Sequence, residues 1–188
     1  MEAQQEEQLG LASIKTPPKP RTLPDTHMVI ELKPAECTCG QVRLELAGSP
    51  IVATVCHCLD CQQAGRSLDA LPGAAPVLDD HDGTAFVMYR KDCVRCVRGE
   101  AMLAEYRLTP ESPTRRIVAK CCNTAIFLDF TKGHWLSIYR GRVSSTKGSV
   151  VERKSRVFIL DLIWAWGMMR FRTPKIEFVK GGALDLAG

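Results

Sequence analysis

Apolar and polar residues alternate along much of this chain. In residues 29–33 and 41–46 the alternation has a period of two, which is typical of half-buried strands. Further runs of this kind predict strands at residues 51–55, 84–89, 94–98, 102–108, 116–120 and 125–130. Turn-forming residues separate these runs at the spacing of a compact antiparallel domain. The pattern therefore predicts a mainly β domain over residues 29–143.

The two ends differ from this β pattern. Residues 1–28 are polar and then proline-rich, so we predict an extended tail there. Residues 62–82 are rich in Gly, Pro, Ala and Asp and are predicted to form a loop. Residues 144–188 are predicted to contain a polar loop, a C-terminal helix over 152–172 that Pro174 ends, and a loose tail.

The predicted C-terminal helix has an apolar face that allows two interpretations. Either it packs on the sheet, or it meets a membrane surface or a partner. The residues of this face are Leu160, Ile163, Trp164, Met168 and Phe171.

Composition narrows the class of protein. The net charge of +4 over 188 residues is lower than expected of a dedicated DNA-binding protein. The chain contains no run of about 18 apolar residues, as a membrane span requires. The acidic N-terminus lacks the pattern of a signal peptide, so we expect a cytoplasmic or nuclear protein. Nine cysteines in that setting indicate metal binding or thiol chemistry rather than disulfides.

The densest cysteine motif is Cys56-x-Cys58-x-x-Cys61. Thiolates at this density favour zinc, copper(I) or an iron–sulfur cluster. Three protein ligands also leave one position of a zinc ion open to water or substrate. An earlier pair, Cys37 and Cys39, shares one face if the chain is extended there, and so can bind one ion together.

The remaining four cysteines give weaker signals. Cys93 and Cys96 lack turn-forming neighbours, so we interpret them as small buried thiols on a strand, with metal ligation as the alternative. Cys121 and Cys122 are adjacent, and adjacent side chains on a regular strand point to opposite faces. They can share an ion only if the chain turns at that point.

The motifs Glu36-Cys37-Thr38-Cys39-Gly40-Gln41-Val42-Arg43 and Cys56-His57-Cys58-Leu59-Asp60-Cys61-Gln62, followed by a late cysteine motif, resemble the glutathione-dependent formaldehyde-activating enzyme family. That family shares its domain with centromere protein V. The resemblance covers residues 30–143 and implies a zinc-bearing, mostly antiparallel β fold with one or two zinc ions. It assigns Cys37, Cys39 and the late cysteines to a structural ion, and Cys56, Cys58 and Cys61 to a second ion open to a thiol.

The late motif departs from the family pattern. If Cys122 takes the second late cysteine position of the family pattern, Ala119 stands at the first position and Asn123 replaces the glycine. Three outcomes stay open: a four-sulfur site with both Cys121 and Cys122, a weakened three-sulfur site, or a single zinc closed by a late cysteine. Asn tolerates the left-handed backbone that the glycine would adopt.

The resemblance implies a carbon–sulfur lyase-type enzyme that joins a thiol such as glutathione to a small aldehyde such as formaldehyde. We expect His57 or Asp60 to move the proton, although Asp60 can equally cap the loop backbone. Cationic anchors for the carboxylates of glutathione are sought among Arg66, Arg95, Arg98, Arg115, Arg116 and Lys120. The alternatives are a non-catalytic, zinc-stabilised binding module, and a lyase that acts on another thiol adduct.

Overall fold

The computed structural model describes residues 32–144 and 158–184, and these form two antiparallel sheets. The small sheet has the order β1-β2-β5 and the large sheet the order β3-β4-β9-β8-β7-β6. The mainly β fold is therefore confirmed. The strands are β1 Leu32–Glu36, β2 Arg43–Ala47, β3 Val52–Cys56, β4 Thr84–Arg90, β5 Val94–Arg98, β6 Leu103–Tyr106, β7 Thr114–Ala119, β8 Thr124–Phe130 and β9 Trp135–Tyr139.

The main core lies between the two sheets. Leu44 and Leu46 of the small sheet belong to one buried cluster with Ile117, Phe127 and Ile138 of the large sheet, and all five are fully buried. Burying a side chain of this size stabilises the fold by roughly 1.5–3 kcal/mol. One face of the large sheet therefore packs in the core.

The opposite face of the large sheet forms a continuous row across four strands. Met88 pairs with Ser137, Ser137 with Leu128, and Leu128 with Arg116. Because successive side chains of a strand point to opposite faces, this row points away from the core. It is the floor of the candidate site.

Helix α1, Leu59–Asp69, corrects the prediction of a loop over residues 62–82. It packs at one end of the large sheet through Cys61, Ala64, Gly65 and Leu68. A Cβ on Gly65 would lie 2.5 Å from the Leu78 side chain, so the glycine permits this close packing. The buried positions follow the i, i+3, i+4, i+7 spacing of an amphipathic helix.

Two further predictions are corrected, and one lies outside the described residues. The first described residue of β1 is Leu32, while residues 29–31, like the predicted tail over 1–28, lie outside the described residues. β9 was not predicted, although it lies at the centre of the large sheet. The C-terminal tail was predicted to be loose, but Leu184 donates a backbone hydrogen bond to Glu105 of β6 at 2.7 Å.

Helix α2, Phe158–Met168, confirms the C-terminal helix but corrects its packed face. Leu162, Ala165 and Met169 are buried, and Trp166 stacks on His134 with ring centroids 5.8 Å apart. The residues predicted to form the packed face are instead more than half exposed: Leu160, Ile163, Trp164, Met168 and Phe171. The helix ends before Pro174, and residues 152–157 lie outside the described residues. No helix in the described ranges is long and apolar enough to cross a bilayer.

A buried ion-pair network links β8 to its neighbours. Asp129 is 1% exposed and lies 2.8 Å from the Nζ of Lys91, which is equally buried. Its second oxygen accepts a hydrogen bond from the Nε of Arg115 at 2.8 Å. Removing one member of such a network leaves an uncompensated buried charge.

We therefore expect Asp129→Asn to lower the free energy of unfolding by roughly 3–5 kcal/mol, measured by chemical denaturation. Glu45→Gln is the matched control, because its partner Arg95 is 68% exposed on the surface and such pairs contribute at most about 1 kcal/mol. Equal effects of the two substitutions would contradict a structural role for the Asp129 network.

Candidate metal centres

Four cysteines from distant parts of the chain meet in one cluster, here called the four-sulfur cluster: Cys37, Cys39, Cys121 and Cys122. The Cys37 Sγ lies 3.5 Å from that of Cys39 and 3.8 Å from that of Cys121. The Cys39 and Cys121 sulfurs are 3.4 Å apart, and those of Cys121 and Cys122 are 3.8 Å apart. The cluster joins the turn between β1 and β2 to the turn between β7 and β8, and so connects the two sheets.

A tight turn explains how adjacent cysteines share this cluster. The Cys122 backbone N–H donates to the Ala119 carbonyl at 3.3 Å, and Asn123 adopts a left-handed φ of 50°. Asn is among the residues that tolerate this conformation. Of the three outcomes left open by the sequence, the geometry matches the four-sulfur arrangement with both Cys121 and Cys122.

Neighbouring groups support thiolates in this cluster. The Val42 backbone N–H donates to the Cys37 Sγ at 3.2 Å, and the Thr124 hydroxyl lies 3.0 Å from the Cys122 Sγ. Burial raises the pKa of the Cys122 thiol, but hydrogen bonds with Thr124 and Thr38 outweigh it and lower that pKa to about 6. Burial raises the pKa of Cys121, so the cluster does not ionise fully by itself.

The second group is the three-sulfur cluster: Cys56, Cys58 and Cys61. β3 ends at Cys56, Cys58 immediately precedes α1, and Cys61 lies in the first turn of that helix. The Cys56 and Cys58 sulfurs are 3.4 Å apart. Among the described residues, no fourth Cys, His, Asp or Glu ligand atom lies within 4.8 Å of all three sulfurs.

The thiols of Cys56 and Cys61 have pKa values shifted in opposite directions. Hydrogen bonding with Cys61 lowers the pKa of the Cys56 thiol to about 5, against the opposing effect of burial. The same contact, together with burial, raises the pKa of the Cys61 thiol. Three thiolates at this separation repel one another, so full ionisation requires a cation among them.

Both clusters have the dimensions of a zinc site. Zinc binds thiolates at about 2.3 Å in a tetrahedral arrangement, which separates the sulfurs by roughly 3.8 Å. The Sγ–Sγ distances given above, 3.4–3.8 Å, are close to that value, and all sulfurs of each cluster lie within 4.8 Å of one another. The two clusters can therefore hold metal ions, and their soft sulfur donors fit zinc.

The three-sulfur cluster opens into a cleft of about 420 Å³ on the outer face of the large sheet. Phe86, Phe130 and Trp135 provide apolar walls, while Ser137 and Arg116 are polar groups in the lining. This size and mixture are typical of small-molecule sites. Trp135 and Ser137 were missed from the sequence because β9 was not predicted, although they alternate as strand residues do.

His57 and Asp60, the predicted proton carriers, are both exposed and line the cleft. The His57 ring and the Asp79 carboxylate each lie 2.6 Å from where a Cβ on Gly83 would stand, so the two groups are neighbours. Asp60 lies in the first turn of α1, and its carboxylate makes no hydrogen bond with the described backbone. The capping role considered for Asp60 is thus not observed.

The six candidate cations have different environments. Arg66 pairs with Asp82, Arg95 with Glu45, and Arg115 with Glu105 and Asp129. Arg98 donates to the Gly40 carbonyl and Lys120 to the Gly181 carbonyl. Arg116 alone of the six lines the cleft.

Cys93 and Cys96 join neither cluster. Cys93 lies in a single-turn 3₁₀ helix and Cys96 on β5, and both are half-buried. Burial raises the pKa of each thiol. Both thiols are thus less buried than predicted from the sequence, and Cys93 lies just before the strand rather than on it.

The fold and these clusters define a mainly antiparallel β protein with two cysteine sites suited to metal. Residues 33–77 match the family model described as glutathione-dependent formaldehyde-activating enzyme, so this segment is similar to that family. The matched segment contains Cys37 and Cys39 and the whole three-sulfur cluster. Cys121 and Cys122 lie beyond it.

Comparisons with other proteins are more distant. A crystal structure of a Rhodobacter sphaeroides protein is similar with a TM-score of 0.43 and 16% identity, covering 61% of this chain and 90% of that one. No curated protein matches the chain.

We predict that the isolated protein contains about two metal ions per chain, as measured by elemental mass spectrometry. Cys58→Ser should remove one ion and Cys121→Ser the other, because each variant loses one ligand of a different cluster. Cys93→Ser is the control and should retain both ions. A wild-type content of one ion, or loss of both ions from Cys58→Ser, would contradict two independent centres.

Proposed function

We propose that this protein is a zinc-dependent carbon–sulfur lyase-type enzyme that forms and cleaves S-hydroxymethylglutathione from glutathione and formaldehyde. One observation carries the proposal: three sulfurs lie at a cleft without a fourth protein ligand among the described residues. The four-sulfur cluster, by contrast, lies between turns of the two sheets. The match of residues 33–77 to the family model supports the choice of a thiol as substrate.

Zinc held by Cys56, Cys58 and Cys61 would offer one open position to a thiol and stabilise its thiolate form. Phe86 and Trp135 give this cleft apolar walls. Holding the thiolate and the aldehyde together in this cleft accounts for most of the expected acceleration.

The reaction needs no oxidant or reductant. The thiolate sulfur attacks the carbonyl carbon and forms a C–S bond, while the C=O π electrons move to oxygen. The proton lost by the thiol ends on that oxygen, and the reverse sequence cleaves the adduct. His57 is the proposed proton carrier, because Asp79 lies beside its ring and can orient it.

The four-sulfur cluster has a structural role in this proposal. It connects the turn after β1 to the turn after β7, so a bound ion would add directly to folding free energy. A non-catalytic module would need this cluster alone. It would give no reason for a second sulfur cluster in a cleft.

Catalysis is measured as exchange between free formaldehyde and its glutathione adduct, followed by ¹³C NMR. The wild-type protein should accelerate this exchange, and Cys56→Ser should return it to the uncatalysed rate because the thiol loses its binding position. Cys93→Ser should behave as wild type. Wild-type exchange at the uncatalysed rate, in protein with both metal centres filled, would support the binding module instead.

A second variant tests the proton carrier. We expect His57→Gln to slow adduct exchange by about 100-fold or more, with metal content unchanged. Asp60→Asn is the comparison, because Asp60 also lines the cleft but lacks a neighbour that orients it. A larger loss in Asp60→Asn would reassign the proton transfer to Asp60.

A further inference from the structure

The guanidinium of Arg116 is buried and only partly paired. Its residue is 2% exposed, and its Nη2 donates to the Asp60 carbonyl at 3.0 Å. Its Nη1 is buried and has no hydrogen-bond partner among the described residues. A buried cationic donor without a partner is costly, so such groups are usually matched by an anion.

Arg116 lies beside the three-sulfur cluster. The carbonyl that it contacts belongs to Asp60, which stands between Cys58 and Cys61 in the chain. Arg116 also lines the same cleft as these cysteines. The hydrogen bond through Nη2 therefore ties the guanidinium to the segment that carries these cysteines, while Nη1 makes no hydrogen bond among the described residues.

Arg115, the neighbour of Arg116 in the chain, has a guanidinium with several hydrogen-bond partners. Arg115 points to the other face of β7 and contacts Asp129, Glu105 and the Ile176 carbonyl. No ion pair joins Arg116 to a carboxylate of residues 32–144 or 158–184. The Asp60 carboxylate also lines the cleft, but Arg116 bonds only its backbone.

We propose that the Nη1 of Arg116 is an anion subsite that binds a carboxylate of the thiol substrate. This inference rests on the proposed function of the cleft, and it names the residue that would hold a carboxylate of the substrate and so favour glutathione over neutral thiols. Arg116 acts as a positioning residue, since it holds the substrate while the sulfur reacts elsewhere. Lysine is a poor substitute, because one ammonium on a flexible chain does not reproduce the planar fork that contacts Asp60 and the ligand together.

The test uses S-methylglutathione and its diethyl ester, which share a blocked sulfur but differ in whether their carboxylates are free or esterified. Binding to the metal-loaded protein is measured by calorimetry. The wild type should bind the acid about tenfold or more tightly than the ester, as expected of a charge-assisted hydrogen bond. Arg116→Gln should remove this preference, and Arg66→Gln, an exposed arginine paired with Asp82, should keep it.

A purely structural role for Arg116 predicts a different result. Loss of the Asp60 contact alone would weaken acid and ester equally and leave their ratio unchanged, which would overturn the proposal. Equal binding of acid and ester by the wild type would overturn it as well. If Arg116→Gln does not fold, Arg116→Lys is measured instead, and a reduced acid-to-ester ratio supports the proposal.

The outcome separates this inference from the proposed function. S-methylglutathione has no free thiol, so its binding does not depend on adduct chemistry. An Arg116-dependent preference without formaldehyde exchange would retain the anion subsite and reject the enzyme. Exchange without that preference would retain the enzyme and reject the subsite.

Discussion

The close spacing of sulfur atoms in the two cysteine clusters is the main physical constraint on this protein. Sulfurs 3.4–3.8 Å apart cannot all be thiolates unless a cation lies among them. The protein holds two such groups, and it lowers the pKa of one thiol in each while raising that of others. Metal binding would resolve this conflict by stabilising every thiolate at once. The arrangement is understandable as a pair of metal sites and has no advantage as packing.

Successive side chains on the strands of the large sheet have different roles, because one face of the sheet packs in the core and the other lines the cleft. Arg115 and Arg116 are neighbours on β7, yet they face opposite sides. Arg115 joins the buried network around Asp129, and Arg116 lines the cleft. In the same way Phe127 packs in the core while Leu128 lies in the cleft floor. A substitution that shifted the register of β7 would exchange these roles.

The sequence was sufficient for much of this architecture and insufficient at identifiable points. Period-two alternation located most strands, and cysteine spacing located the three-sulfur cluster and the Cys37–Cys39 half of the four-sulfur cluster. Helix α1 was missed because its buried face is short, comprising Cys61, Ala64 and Leu68 with Gly65 between them, and the rest of the helix is polar. The packed face of α2 was assigned wrongly because the helix is apolar on nearly all sides, so periodicity could not distinguish its faces.

Two features of the site were beyond any local pattern. The shared position of Cys121 and Cys122 depends on a turn with Asn123 at positive φ. The unpaired Nη1 of Arg116 depends on strand register across the large sheet and on the position of α1. Both are tertiary properties, and spacing alone left them open.

We propose that the three-sulfur cluster holds a metal ion with one position free for a thiol. Cobalt substitution tests it directly, because sulfur-to-cobalt charge-transfer absorption reports the number of bound thiolates. With both centres filled by cobalt, adding glutathione should increase this absorption in the wild type, as a fourth sulfur joins one centre. The increase should persist when the four-sulfur cluster is disrupted by Cys121→Ser. A spectrum that already reports two complete four-sulfur centres, and that does not respond to glutathione, would contradict the account.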